Sequence, residues 1–172
     1  MEELATAKFH DNKIVWEPYT SEDIVCDRFS LDEWHLAVAD IHSDDEWNEF
    51  LQDNTDFVCC KILREIESRK TIGFIYIMEE DERKKVVSIH GGGWEKSMKA
   101  SILYYHGFFC VIKSLLDLGY KVRTTCVINN ENAYRFIKGT GFVCYYTSQT
   151  LHHFWINEKR LTNNPLFRWI YK

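Results

Sequence analysis

A chain of 172 residues with 45% apolar, 15% aromatic and 27% charged residues is near the modal length of one domain and well outside the disordered range, so a single core over residues 1–172 is expected. Its formal net charge of −5 leaves no basic footprint for nucleic acid. The first residues, MEELATAKFHDNK, lack the apolar run of a signal peptide, and no run of ~18 apolar residues predicts a membrane span. A cytoplasmic location is the resulting expectation. The six cysteines show no C-x-x-C spacing and most sit in apolar runs, which predicts reduced core thiols without disulfide or zinc.

In chain order, KIVWEPY reads as a short strand, and TSEDIVCDRFS and SDDEWNEFLQD read as helical pieces, each with a Thr or Ser near its start and acids in its first turn. DFVCCKILREI and TIGFIYIMEE are β-rich runs around the polar ESRK and predict an antiparallel hairpin; KVVSIHGGGW is a third such run, ending on glycines. From Ser101 to Leu118, Tyr105, Phe108, Phe109, Ile112, Leu115 and Leu116 recur at helical spacing, with Gly119 placed as a C′ glycine. The strand KVRTTCV follows, then NNENAYRFIKGTGFVCYY as a short helix and a strand, and TLHHFWI and LFRWIYK as late β-rich pieces. With two prolines and no linker or repeat, this order predicts one α+β or mixed-sheet α/β domain.

The join SIHGGGWEKSMKAS carries the first chemical signal. Consecutive glycines let a ligand or another backbone come close. Ser97 or Ser101 can cap the long helix, whose first amides and positive dipole end form an anion site to which Lys96 and Lys99 add charge. A phosphate-bearing ligand is one reading, and an ordinary glycine-rich connection with a capped helix is the other. No Walker sequence or dinucleotide fingerprint occurs. His90, at the end of the β run, can serve as a base titrating near neutrality or as a hydrogen-bonded strand histidine. His152 and His153 fall on opposite faces of a strand, so metal binding has no support, and without a G-x-S-x-G elbow no hydrolase triad can be argued.

Asn130-Glu131-Asn132-Ala133, Gly141-Phe142 and Gly119-Tyr120 match an Asn-x-x-Ala helix start, a Gly-Phe at the head of the next strand and a Gly-Tyr helix stop. Together with the element order over about residues 57 to 146, these motifs resemble the GCN5-related N-acetyltransferase superfamily. The resemblance implies a mixed sheet flanked by helices, with two central parallel strands, VVSIHGG and KVRTTCV, splayed to hold acetyl-CoA. Its pantetheine amides would pair with the free edge near His90, Gly91 and Gly92, and its pyrophosphate would sit on Lys96, Ser97, Met98, Lys99, Ala100 and Ser101. Asn130 would touch the cofactor or tie strand to helix, and Ala133 would leave room beside it.

The same resemblance implies an enzyme in which a primary amine of a small molecule or protein attacks the thioester directly. His90, or water held by it, would be the base. Two features, at three positions, depart from the family pattern. Lys99 and Ser101 stand where the pyrophosphate loop usually has glycines, and Ile137 stands where a tyrosine commonly protonates the leaving thiolate. Tyr134, Tyr145 and Tyr146 are the candidate replacements, with water as the other. A non-catalytic CoA-binding or protein-interaction module is the alternative reading, and an unrelated α+β domain is a third. The late strands offer a surface for a homodimer, and Trp34, His35 and Trp47 are candidates for an acceptor-site wall.

Overall fold

The structure, a computed structural model, describes residues 13–18, 46, 57–93 and 97–172. The two early helical pieces, apart from Glu46, lie outside the described residues, as do Trp34, His35, Trp47 and Lys96.

Strands β1 (Ile14–Pro18), β2 (Phe57–Glu65), β3 (Thr71–Asp81) and β4 (Val86–Gly93) are followed by helix α1 (Met98–Asp117), strand β5 (Lys121–Val127) and helix α2 (Glu131–Gly139). Strands β6 (Val143–Thr147) and β7 (Leu151–Ile156) and the short helices α3 (Glu158–Asn163) and α4 (Pro165–Ile170) complete the chain. All seven strands form one sheet in the order β1-β2-β3-β4-β5-β7-β6. Among the described strands only β4 and β5 are parallel neighbours. The expected hairpin is present as β2–β3, and the sheet is mixed, as expected.

The two longest stretches of local signal explain the core. In α1, Ser97 is the N-cap: its hydroxyl accepts from the Ala100 amide at 3.2 Å. Gly119 ends the helix with φ +82°, a conformation that favours glycine. Leu103, Phe108, Val111, Ile112 and Leu115 are buried on one side of this helix and join Ile75, Ile77, Val87, Ile89 and Val122 of the sheet in a common core. Each such large side chain contributes about 1.5–3 kcal/mol by leaving water. At the far edge, the Trp16 indole donates to the Gly107 carbonyl at 3.0 Å, fixing α1 against β1.

One element departs from expectation. LFRWIYK is not a strand but falls on α4 and the residues just after it. The Asn164 side-chain oxygen accepts from the Leu166 and Phe167 amides at 2.8 and 3.1 Å, and Pro165 occupies the first turn, where its missing N–H costs nothing. Leu166, Phe167 and Ile170 then pack onto the core at helical spacing. Of the two late pieces expected to offer a dimer surface, this one is helical and the other, β7, has both edges paired, to β5 and β6. Among the described residues no helix is long and apolar enough to cross a membrane.

Candidate functional site: a fork between β4 and β5

The parallel pairing of β4 and β5 stops early. Val86 pairs with Lys121, Val87 with Val122 and Ser88 with Arg123, and no further pair forms. Both strands run on, β4 from Ile89 to Gly93 against β3, and β5 from Thr124 to Val127 against β7. The edges that face each other past this point have no strand between them. Because alternate residues of a strand point their N–H and C=O toward a given neighbour, the fork presents backbone donors and acceptors that a peptide-like ligand arm can satisfy.

The glycines of β4 have a packing reason first. A Cβ on Gly91 would lie 2.2 Å from the Phe74 carbonyl oxygen and 2.8 Å from the Tyr104 hydroxyl, and one on Gly73 of β3 would lie 2.4 Å from the Gly92 oxygen and 2.6 Å from the Tyr104 ring. Tyr104 of α1 thus lies flat against this part of the sheet, and its hydroxyl donates to the Phe74 carbonyl at 3.0 Å. Gly91 and Gly93 remain exposed even so. Behind the fork, Phe136 of α2 touches Tyr104, Tyr105 and Phe108 of α1 at ring separations of 5.3, 4.6 and 5.2 Å. Each such aromatic pair adds about 0.5–1.5 kcal/mol beyond area burial, which fixes the two helices to each other.

Helix α1 begins at Met98, just past the end of β4, so its N-terminus belongs to the same end of the molecule as the open fork. Lys99 does not offer a free charge there: its ammonium lies 2.7 Å from Glu65, and Lys99 together with a Ser68 hydrogen bond holds that carboxyl below its usual range. Met98 is exposed and Ala100 is buried. At the other side of the fork, the Asn130 side chain accepts from the Ala133 amide at 3.0 Å while its own amide donates to the Val127 carbonyl at 3.0 Å. Asn130 therefore ties the free end of β5 to the start of α2, one of the two roles expected of it. Ala133 packs at the margin of the core.

His90 is half-buried and its ring stacks on Tyr76 of β3 at 5.1 Å and 17°. Desolvation lowers its pKa to about 4, so the imidazole is neutral throughout the physiological range and does not titrate near neutrality as the sequence suggested. Two of the candidate tyrosines, Tyr134 and Tyr145, lie on opposite faces of the sheet. Tyr134 packs edge-on to His152 and Phe154 at 4.9 and 5.5 Å, and His152 stands opposite Cys126 at the open end of β5. Tyr145 is 51% exposed on the other face, 6.0 Å from the Arg123 guanidinium, which in turn reaches Glu80 at 3.1 Å. Ile137 is 5% exposed and belongs to the core. Cys126 is also buried, and its thiol is pushed up to about 11 by burial and by Cys144, so it is protonated and no nucleophile near neutral pH.

Sequence reasoning missed two residues where the fork closes. Ser88 is the last residue of β4 that pairs with β5, and Thr124 is the first residue of β5 past that pairing. They are 4% and 3% exposed, and neither hydroxyl has a hydrogen-bond partner among the described residues. By strand alternation Ser88 shares a face with Arg123 and His90, and Thr124 lies on the face of α1 and α2. Buried hydroxyls without partners are uncommon and costly, and here two flank the same junction. Nothing in the local sequence signals this, since SIH and RTTCV read as plain strand.

No protein-family model matches the chain, and no curated protein sequence does so. Solved structures do. A GCN5-related N-acetyltransferase from Brucella melitensis superposes with a TM-score of 0.71 at 15% identity, over 96% of this chain and 84% of that one. The chain has the GCN5-related N-acetyltransferase fold. A GNAT-family acetyltransferase from Bacillus anthracis matches with a TM-score of 0.70 at 10% identity, over 89% and 99% of the two chains. RimL, a ribosomal L7/L12 alpha-N-protein acetyltransferase, matches with 0.68 at 8% identity, over 88% and 94%. At such identities the likeness is one of fold. The acetyltransferase fold accounts for the seven-stranded mixed sheet and its helical flanks, as the sequence motifs implied, while the chemistry rests on this chain's own residues.

Proposed function

We propose that this chain is an acyltransferase that moves an acetyl group from acetyl-CoA to a primary amine of a small molecule or protein by direct attack on the thioester. The observation that carries the reading is the fork: β4 and β5 pair over three residues and then separate, with both strands continuing. Acetyl-CoA would lie between them, its pantetheine amides against the backbone of His90, Gly91 and Gly92. Its pyrophosphate would rest on the approach to α1 from Lys96 through Ser101, where the positive end of the helix dipole favours an anion whatever the side chains are. Asn130 and Ala133 would border the cofactor on the β5 side.

In the transfer, the amine nitrogen forms a bond to the acetyl carbon, the carbon–sulfur bond breaks, and the CoA thiolate takes up a proton. Hydroxyls at the junction, Thr124 above all, would donate to the carbonyl oxygen as negative charge develops on it. Tyr134, on the α2 side beside the open end of β5, is the better placed phenol to return the proton, with Tyr145 as the alternative from the opposite face. His90, held neutral, would orient the amine or a water; the base limb of the rate would then follow the amine's own ionisation. Calorimetric titration of acetyl-CoA followed by turnover on a panel of amines tests the reading. Saturable binding with CoA release supports it, and absence of binding removes it.

A second reading is a non-catalytic CoA-binding module. It is favoured by Ile137, which fills the core at the position where the family commonly keeps its acid, and by Lys99, whose charge is matched by Glu65. Binding of acetyl-CoA without turnover over a broad amine panel would select it.

A further inference from the structure

At the end of the sheet where β5 begins and β7 finishes lies a depression of about 480 Å³, bordered by Gly141 and lined by Trp155, Asn157, Lys159, Arg160, Asn163 and Asn164. It shares no residue with the fork. Among the described residues no carboxylate lines it, although the chain carries a net charge of −5. The Arg160 guanidinium lies over the Trp155 indole at 5.3 Å and has no acidic or hydrogen-bond partner among the described residues. Most other arginines differ: Arg64 and Arg69 reach Glu17, Arg123 reaches Glu80, Arg135 reaches Glu131, and Arg168 reaches Asn163 and the Thr162 carbonyl. Among the described residues Arg83, in an exposed turn, is the remaining case.

The asparagines sharpen the polarity. The side-chain oxygen of Asn157 accepts from the Arg160 amide, that of Asn163 from Arg168, and that of Asn164 from the Leu166 and Phe167 amides. Their acceptors are thus engaged within the protein. The side chains that line the depression without a bonded partner among the described residues include the Lys159 ammonium and the Arg160 guanidinium, both cationic donors. A guanidinium lying over an indole face, as the exposed Arg160 does, keeps its N–H groups available for a planar, two-oxygen partner.

We infer that this depression binds a small organic anion, through a carboxylate or phosphate group gripped by Arg160 and Lys159, at a site separate from the acyl-CoA fork. The inference does not depend on the proposed transferase activity. Inorganic phosphate and acetate, each titrated at constant ionic strength against chloride while tryptophan fluorescence is followed, are the probes, and their relative affinities tell phosphate from carboxylate recognition. The expected result is a saturable change in the wild type and in Arg83→Gln that is absent in Trp155→Phe. Arg160→Gln should weaken binding by roughly tenfold or more, as loss of charged hydrogen bonds does. Lys159→Gln should weaken it by less, and an unchanged melting temperature in both variants shows that they are folded. A non-saturable response to both probes, or equal binding by wild type and the two charge variants, overturns the inference.

Discussion

The two edges of β5 are built for different purposes. Toward β7 the strand is paired along nearly its whole length, from Val122 with Ile156 to Val127 with Leu151, and the shared face carries Phe154 and Ile156 in the core. Toward β4 it is paired at only three positions, and the junction holds two buried hydroxyls that have no partner among the described residues. One edge spends backbone and side chains on stability. The other leaves hydrogen-bonding capacity unspent, at a cost to stability that a ligand can recover.

Substitutions at the two edges should therefore behave differently. The largest effect on stability is expected on the paired side, where Phe154 is fully buried. Phe154→Ala should lower the unfolding free energy by about 3–5 kcal/mol through lost transfer and a residual cavity, measured by urea denaturation. A loss below ~1 kcal/mol would mean that the paired edge is not where the core is anchored.

His90 gives the next largest effect, and it depends on pH. Its pKa in the folded chain is lowered from 6.5 to about 4, so the unfolded chain binds more protons between those values. Above pH 6.5 the group contributes nothing. As pH falls toward 4, the native state loses up to ~3 kcal/mol relative to the unfolded one. His90→Gln should flatten that part of the acid limb in urea titrations at pH 7, 5.5 and 4.5; parallel curves for the two proteins would show the imidazole to be solvated.

Two glycines at the fork separate packing from ligand access. A Cβ at Gly91 would meet a backbone oxygen at 2.2 Å, whereas at Gly93 the nearest atom, on the Tyr104 ring, is 3.7 Å away. Gly91→Ala should cost about 1–3 kcal/mol, as overpacking against an unyielding neighbour does, and Gly93→Ala much less. Thermal melts of both decide it. Equal and negligible shifts would leave ligand approach as the only reason for the glycines.

How much of this was legible in the sequence follows the range of the forces involved. Gly119 could be read as a helix stop, and Ser97 or Ser101 as a cap, because such residues act within one turn of their own helix; the structure selects Ser97 and shows Asn130 to be a cap as well. The hairpin β2–β3 was legible from two β-rich runs on either side of the polar ESRK. LFRWIYK misled because its apolar density resembles a strand, while the Asn-Pro start and the spacing of Leu166, Phe167 and Ile170 carry the helical signal. At the site, His90 and the glycines stood out by residue type. Tyr104 as the ring the glycines accommodate, Ser88 and Thr124 as orphan hydroxyls, and the desolvation of His90 all arise from contacts between segments far apart in sequence, which no local pattern encodes.

Thr124→Val is the smallest perturbation of stability and the sharpest test of the contrast between the edges. The substitution exchanges a hydroxyl for a methyl of similar size at a site 3% exposed. Were the hydroxyl part of the fold's own hydrogen bonding, its loss would destabilise by about 1 kcal/mol or more; without a partner, its removal should leave the melting temperature unchanged or slightly raised. The consequence should appear instead with ligand. If Thr124 donates to the acetyl carbonyl, the variant should bind CoA like the wild type, lose roughly three- to tenfold of any preference for acetyl-CoA over CoA, and lose turnover by at least as much. A lower melting temperature would make Thr124 a structural residue. Unchanged stability together with unchanged acetyl-CoA preference would place the acyl group elsewhere along the fork, while failure of the wild type to bind CoA at all would reject the transferase reading itself.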